Sequence, residues 1–88
     1  MNEQKTKARR LAKRAIQARL VERDSNFRQF ALEKGYDPRT VTQLVDRYAG
    51  GQAFPRGRLG FRILVDLSRT IGQEVVPGIL KAAAADAA

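Results

Sequence analysis

The sequence predicts an all-α protein, a single bundle of four or five helices. Three observations carry that expectation. Apolar residues recur at three- and four-residue steps in successive segments, the period of a helix buried on one side. Residues that stop or cap helices separate those segments: Asp24-Ser25-Asn26, Gly35, Gly50-Gly51 and Gly72. The chain is 88 residues long and 43% hydrophobic, which suits one small helical core.

Residues 3–23 read as the first helix. Ala8, Ala12, Ala15 and Ala18 are strong helix formers, as are the Lys, Arg and Gln around them. Leu11, Ile16 and Leu20 with the alanines form a moderately apolar side, so the part from about Leu11 onward is expected to pack and the first ten residues to stay mobile. Asp24-Ser25-Asn26 is a stop and a cap together, since all three residues make good N-caps. The second helix is expected from about Ser25 to Lys34, burying Phe27, Phe30 and Ala31 and ending at Gly35, which takes a left-handed turn without steric cost. Asp37 then caps a third helix with Pro38 at its first position, where a missing N–H costs nothing. Val41, Leu44, Val45 and Tyr48 make its apolar stripe.

Gly50–Gly57 is a loop, and a fourth helix over Arg58–Ile71 places Leu59, Ile63, Leu64, Leu67 and Ile71 on one face. Val75-Val76 is expected as a short extended piece, broken by Pro77-Gly78, with Ile79-Leu80 free to dock or to pair with a partner. Ala82–Ala88 is low in complexity and is assigned no function. The expected partition is a basic N-terminal helix or arm at 1–23, a core at 24–72 and a tail at 73–88.

Charge and composition narrow the function. Lys and Arg total 17 against 9 Asp and Glu, a net charge of +8. Residues 1–23 hold Lys5, Lys7, Arg9, Arg10, Lys13, Arg14, Arg19 and Arg23 against Glu3 and Glu22 alone, so most of the excess sits in the first helix. A field of this sign favours a polyanion, nucleic acid before an anionic membrane surface. The first helix carries neither Trp nor Phe on its apolar side, as a membrane-surface helix would, and no apolar run approaches the roughly 20 residues of a membrane span. The N-terminus shows no apolar secretory stretch. Cysteine and histidine are both absent, which removes disulfides, thiolate or imidazole metal sites and the commonest general base. Ser25, Ser68 and the scattered carboxylates form no nucleophile–base arrangement, and no glycine-rich phosphate loop is present, so no catalysis and no cofactor are expected.

The segment Phe27–Asp46 carries the functional signal. Ala31 lies four residues before Gly35, Phe30 and Tyr36 flank the turn, and Val41 and Leu44 follow the glycine by six and nine. A small residue lets the second helix of such a pair approach the first, the glycine makes the turn tight, and the two aliphatics lock the helices at a steep angle. This is the spacing of a DNA-binding helix-turn-helix, whose second helix enters the major groove.

The segment resembles the helix-turn-helix of phage repressors of the lambda and Cro type. More closely, Phe30-Ala31-Leu32-Glu33-Lys34-Gly35-Tyr36-Asp37-Pro38-Arg39-Thr40-Val41 through Arg47-Tyr48-Ala49-Gly50 is similar to small phage-associated regulators of Mu-like prophages. In those proteins a loop like Phe54-Pro55-Arg56-Gly57 leads into a last helix. The resemblance covers about residues 20–72. It implies a lambda-repressor-like fold of four or five helices, operator DNA as the ligand, and a cytoplasmic, nucleoid-associated protein in a bacterial host.

With Val41, Leu44, Val45 and Tyr48 inward, Arg39, Thr40, Thr42, Gln43, Asp46 and Arg47 face outward. Arg39 in the first turn matches guanine O6 and N7, Gln43 one turn on pairs with adenine or accepts from a donor, and Thr42 meets a phosphate or a thymine methyl. These three are the expected base-reading residues. Phosphate contacts are expected from Arg28 and Gln29 at the start of the second helix, Thr40 and Arg47 beside the reading face, and Arg56 and Arg58 before and at the start of the fourth helix. Asp46 would repel phosphate and is expected to pair with Arg39, Arg47 or a cytosine amine. The whole reads as a sequence-specific regulator binding double-stranded DNA; paired half-sites allow a homodimer, its surface drawn from the fourth helix or Val75–Leu80. Two rivals stand beside it: a sequence-neutral or architectural nucleic-acid binder driven by the basic helix, and an accessory protein-interaction module of a phage transposition system.

Overall fold

A computed structural model describes residues 3–87, and within them the chain forms five α-helices and no strand. They are α1 (Glu3–Glu22), α2 (Phe27–Lys34), α3 (Pro38–Tyr48), α4 (Arg58–Ile71) and α5 (Ile79–Ala87). α3 packs against α2, α1 and α4, and α5 lies on α4.

Local chemistry sets most of the boundaries. α1 closes in a reversal at Asp24, whose φ of 55° is a left-handed value that Asp tolerates better than most residues. Of the three expected caps Asn26 is the one used: its Oδ1 accepts from the Gln29 amide at 2.7 Å, so α2 begins at Phe27 and not at Ser25. After Gly35 the Tyr36 amide returns to the Ala31 carbonyl at 2.7 Å, closing the turn tightly. Asp37 Oδ1 accepts from the Arg39 amide at 2.8 Å and Pro38 opens α3, as the spacing predicts.

One core spans all three expected segments. Ile16 and Leu20 of α1 are buried with Phe27, Phe30 and Ala31 of α2, Val41 and Val45 of α3, and the inner face of α4. Val75, Val76 and Ile79 join them from beyond residue 72.

Four sequence expectations change here. Val75-Val76 is not an extended piece; it bends beneath α4, and the Val75 amide donates to the buried Ser68 hydroxyl at 3.0 Å. Ile79 and Leu80 dock on the chain's own core as they open α5, the first of the two roles expected for them, so Val75–Leu80 is largely consumed inside the protomer and is not a free dimer face. Leu59 was expected on the buried face of α4 but is 58% exposed. In that first turn Gly60 faces inward instead, so close that a Cβ there would stand 3.0 Å from Pro55 and 3.1 Å from Leu44. Leu11 is 56% exposed, because it lies off the stripe on which Ala12, Ile16 and Leu20 face inward. The residues expected to be mobile are helical from Glu3 to Arg10, while Met1 and Asn2 lie outside the described residues, as does Ala88 of the tail.

Candidate nucleic-acid interface

Why α3 presents a polar face follows from the turn that precedes it and from its buried side. The tight Gly35–Asp37 turn sets α3 against α2, and Val41 and Val45 on the inner side of α3 are fully buried. A helix anchored on that side must turn Arg39, Gln43, Asp46 and Arg47 to solvent, and all four are exposed. Thr40 and Thr42 are half-buried on its two flanks. The Thr42 hydroxyl donates to the Pro38 carbonyl at 3.1 Å, so what it offers outward is its methyl group and an oxygen lone pair. The turn is braced from behind by the Tyr36 hydroxyl, which donates to Asp66 of α4. Burial, this bond and the Asp66 charge push the Tyr36 phenol up to about 12, against a smaller opposing effect of Arg62.

An open groove runs between α3 and α1, lined by Arg9, Thr40, Gln43, Leu44, Asp46 and Arg47. Of the expected base-reading residues it takes in Gln43; Arg39 and Thr42 stand outside its lining. Of the expected phosphate contacts it takes in Thr40 and Arg47. The remaining four lie elsewhere. Arg28 and Gln29 are exposed on the first turn of α2, but the Gln29 amide is held by Asn26, and its side-chain Nε2 donates to Glu33 at 3.3 Å. Gln29 is therefore engaged within its own helix. Arg56 and Arg58 are exposed around the start of α4, where Arg58, Leu59, Phe61 and Arg62 line a separate shallow depression.

Asp46 pairs neither with Arg39 nor with Arg47. Its Oδ1 meets Lys13 Nζ of α1 at 2.7 Å. The reason is the route of α1, whose alanines pass the end of α3 closely: a Cβ on Gly50 would stand 2.8 Å from the Ala12 Cβ. That approach carries Lys13 over Asp46 and Arg9 into the groove.

Charge alone places Arg9 and Lys13 among the basic residues of the first helix and gives them no position on it. A signal was there. Arg9, Lys13, Ile16 and Leu20 follow one another at steps of four, three and four, so both cations lie on the stripe that becomes buried further along. Among the described residues, no helix is long and apolar enough to cross a membrane. No family model, curated protein or solved structure matches this chain.

Proposed function

We propose that the protein binds duplex DNA sequence-specifically, with α2 and α3 serving as a helix-turn-helix and α3 lying in the major groove, and that it acts without catalysis as a phage- or prophage-type transcriptional regulator. The observation that carries this reading is the exposed face of α3. It holds Arg39, Gln43, Asp46 and Arg47 on a helix whose opposite side is locked by buried Val41 and Val45. A B-DNA major groove about 12 Å wide admits one helix, and Arg and Gln are the side chains that pair in two-bonded fashion with guanine and adenine. The regulatory part of the reading rests on the similarity of Phe30–Gly50 to prophage regulators.

A second reading has one observation in its favour. Lys7, Arg9, Arg10, Arg14 and Arg19 are all exposed along α1, enough to drive binding through phosphates alone. Selection from a random duplex library separates the two, run at about 150 mM salt to suppress the counterion-driven background. A sequence-reading protein enriches a motif that changes with Arg39→Ala. Tight retention without a motif favours the sequence-neutral reading, and no retention at all favours a protein partner.

A further inference from the structure

The groove between α1 and α3 has a charge arrangement that neither helix has alone. On the α3 side it offers Thr40, Gln43 and Arg47, with Asp46 as the one acid in its lining. On the α1 side it offers Arg9, and Lys13 one turn further on occupies that acid at 2.7 Å. The pair is solvent-accessible, with side-chain exposures of 31% and 53%, so it adds little to stability. Its effect on an approaching anion is larger in kind: without Lys13, a full carboxylate charge would stand in a groove otherwise lined by two arginines, two neutral polar side chains and Leu44. The second wall is held in place by small residues. Ala8 and Ala12 pass over Gly50, and Gly50 in turn donates its amide to the Val75 carbonyl at 2.9 Å.

We propose that α1 is the second wall of the DNA-binding surface: Arg9 contacts a backbone phosphate of the strand running along the Thr40–Arg47 edge of α3, and Lys13 screens Asp46 so that this strand can approach. The proposal rests on the reading of α3 as a major-groove helix. It assigns α1 a fixed place on the duplex and distinguishes its inner bases from its outer ones, such as Arg14.

The test is the salt dependence of duplex binding, measured by fluorescence anisotropy for the full chain and six variants on one labelled duplex. Each phosphate contact contributes about 0.9 to the slope of log K against log salt. Arg9→Ala lowers that slope by about 0.9, and Arg14→Ala, on the outer face, leaves it unchanged. Lys13→Ala weakens binding, and adding Asp46→Ala to it restores much of the loss. Asp46→Ala alone binds at least as tightly as the native chain. Equal slope changes for Arg9→Ala and Arg14→Ala would overturn the proposal, reducing α1 to a diffuse positive charge. So would a Lys13→Ala defect that Asp46→Ala does not relieve. Arg39→Ala, the sixth variant, keeps the two readings apart: if it weakens binding to a duplex carrying the selected motif while Arg9→Ala has no effect, the α3 reading stands and the proposal falls. If the native chain binds no duplex, the α3 reading fails and the proposal falls with it.

Discussion

Gly50 is where the interface and the fold depend on the same atom-scale fit. Its φ is +71°, and a methyl group there would sit 2.8 Å from the Ala12 Cβ and 3.6 Å from the Ala8 carbonyl oxygen. Two costs follow from Gly50→Ala. A left-handed conformation costs a non-glycine residue about 1–2 kcal/mol. Carbon atoms in contact rest near 3.5–4.0 Å, so α1 must also retreat by roughly 1 Å, a form of overpacking worth about 1–3 kcal/mol. Together they give about 2–5 kcal/mol, a large share of the 5–15 kcal/mol typical of a domain. Gly35→Ala separates the terms, because Gly35 has a φ of +80° and nothing within 4 Å of its would-be Cβ. It should lose only the conformational part, about 1–2 kcal/mol. Ala12→Gly removes the methyl group that Gly50→Ala meets. Alone it costs about 1 kcal/mol of helix propensity, but combined with Gly50→Ala the losses should sum to less than their separate values by about 1–3 kcal/mol. Urea unfolding followed by helical circular dichroism reads all four proteins. If Gly50→Ala costs no more than Gly35→Ala, and Ala12→Gly shows no coupling to it, α1 does not rest on the end of α3 and the two-walled groove is wrong.

Further outcomes follow from the same contacts. Ser68 is fully buried, donates to the Leu64 carbonyl at 2.7 Å and accepts from the Val75 amide at 3.0 Å, so Ser68→Ala orphans a buried N–H. It should cost about 1–3 kcal/mol in urea unfolding, and a loss under about 0.5 kcal/mol would mean that Val75 finds another acceptor. The Tyr36 phenol, held up to about 12, keeps its proton longer in the folded chain than the ordinary value of 10 allows. Stability from this group is therefore full below about pH 10 and is lost as pH rises towards about 12. Tyr36→Phe should remove that part of the alkaline decline, and ultraviolet titration of the native chain against Tyr36→Phe should assign a late phenolate to Tyr36; a phenolate already complete near pH 10 would refute it. Arg39→Ala should cost about 1–3 kcal/mol on the selected duplex and relax the motif at one position, whereas Arg47→Ala should weaken all duplexes alike and lower the salt slope by about 0.9. Competition binding with matched and mismatched duplexes distinguishes the two, and identical behaviour would refute the division of roles.

The parts of the fold legible in the sequence are those fixed within a few residues. The Asp37 cap, Pro38 and the Val41–Val45 stripe define α3 with contacts no longer than one turn, and the residues expected inside α2 are the ones buried. What was not legible depends on where helices cross. Periodicity shows that Leu59 lies in line with Ile63, but not that Pro55 and Leu44 would come close enough to need Gly60 inward and leave Leu59 outside. Val75 and Val76 have a strand-like composition, yet a lone pair of valines finds no partner strand here and is buried by bending under α4 instead. The same holds at the candidate interface. The outward residues of α3 follow from its stripe, while the Lys13–Asp46 pair depends on the crossing of α1 over Gly50, 37 positions along the chain from Lys13. Local spacing offers Asp46 only Arg39 and Arg47 as protein partners, beside a cytosine amine of the DNA, and does not reveal Lys13.

The most direct test of the central claim is a backbone amide NMR titration of the native chain with a duplex carrying the selected motif. If α3 lies in the groove with α1 beside it, the largest shift changes fall on Arg39–Arg47 and on the stretch around Arg9 and Lys13, with α5 nearly unmoved. Changes concentrated around Arg56–Arg62 or on α5, with Arg39–Arg47 silent, would contradict it.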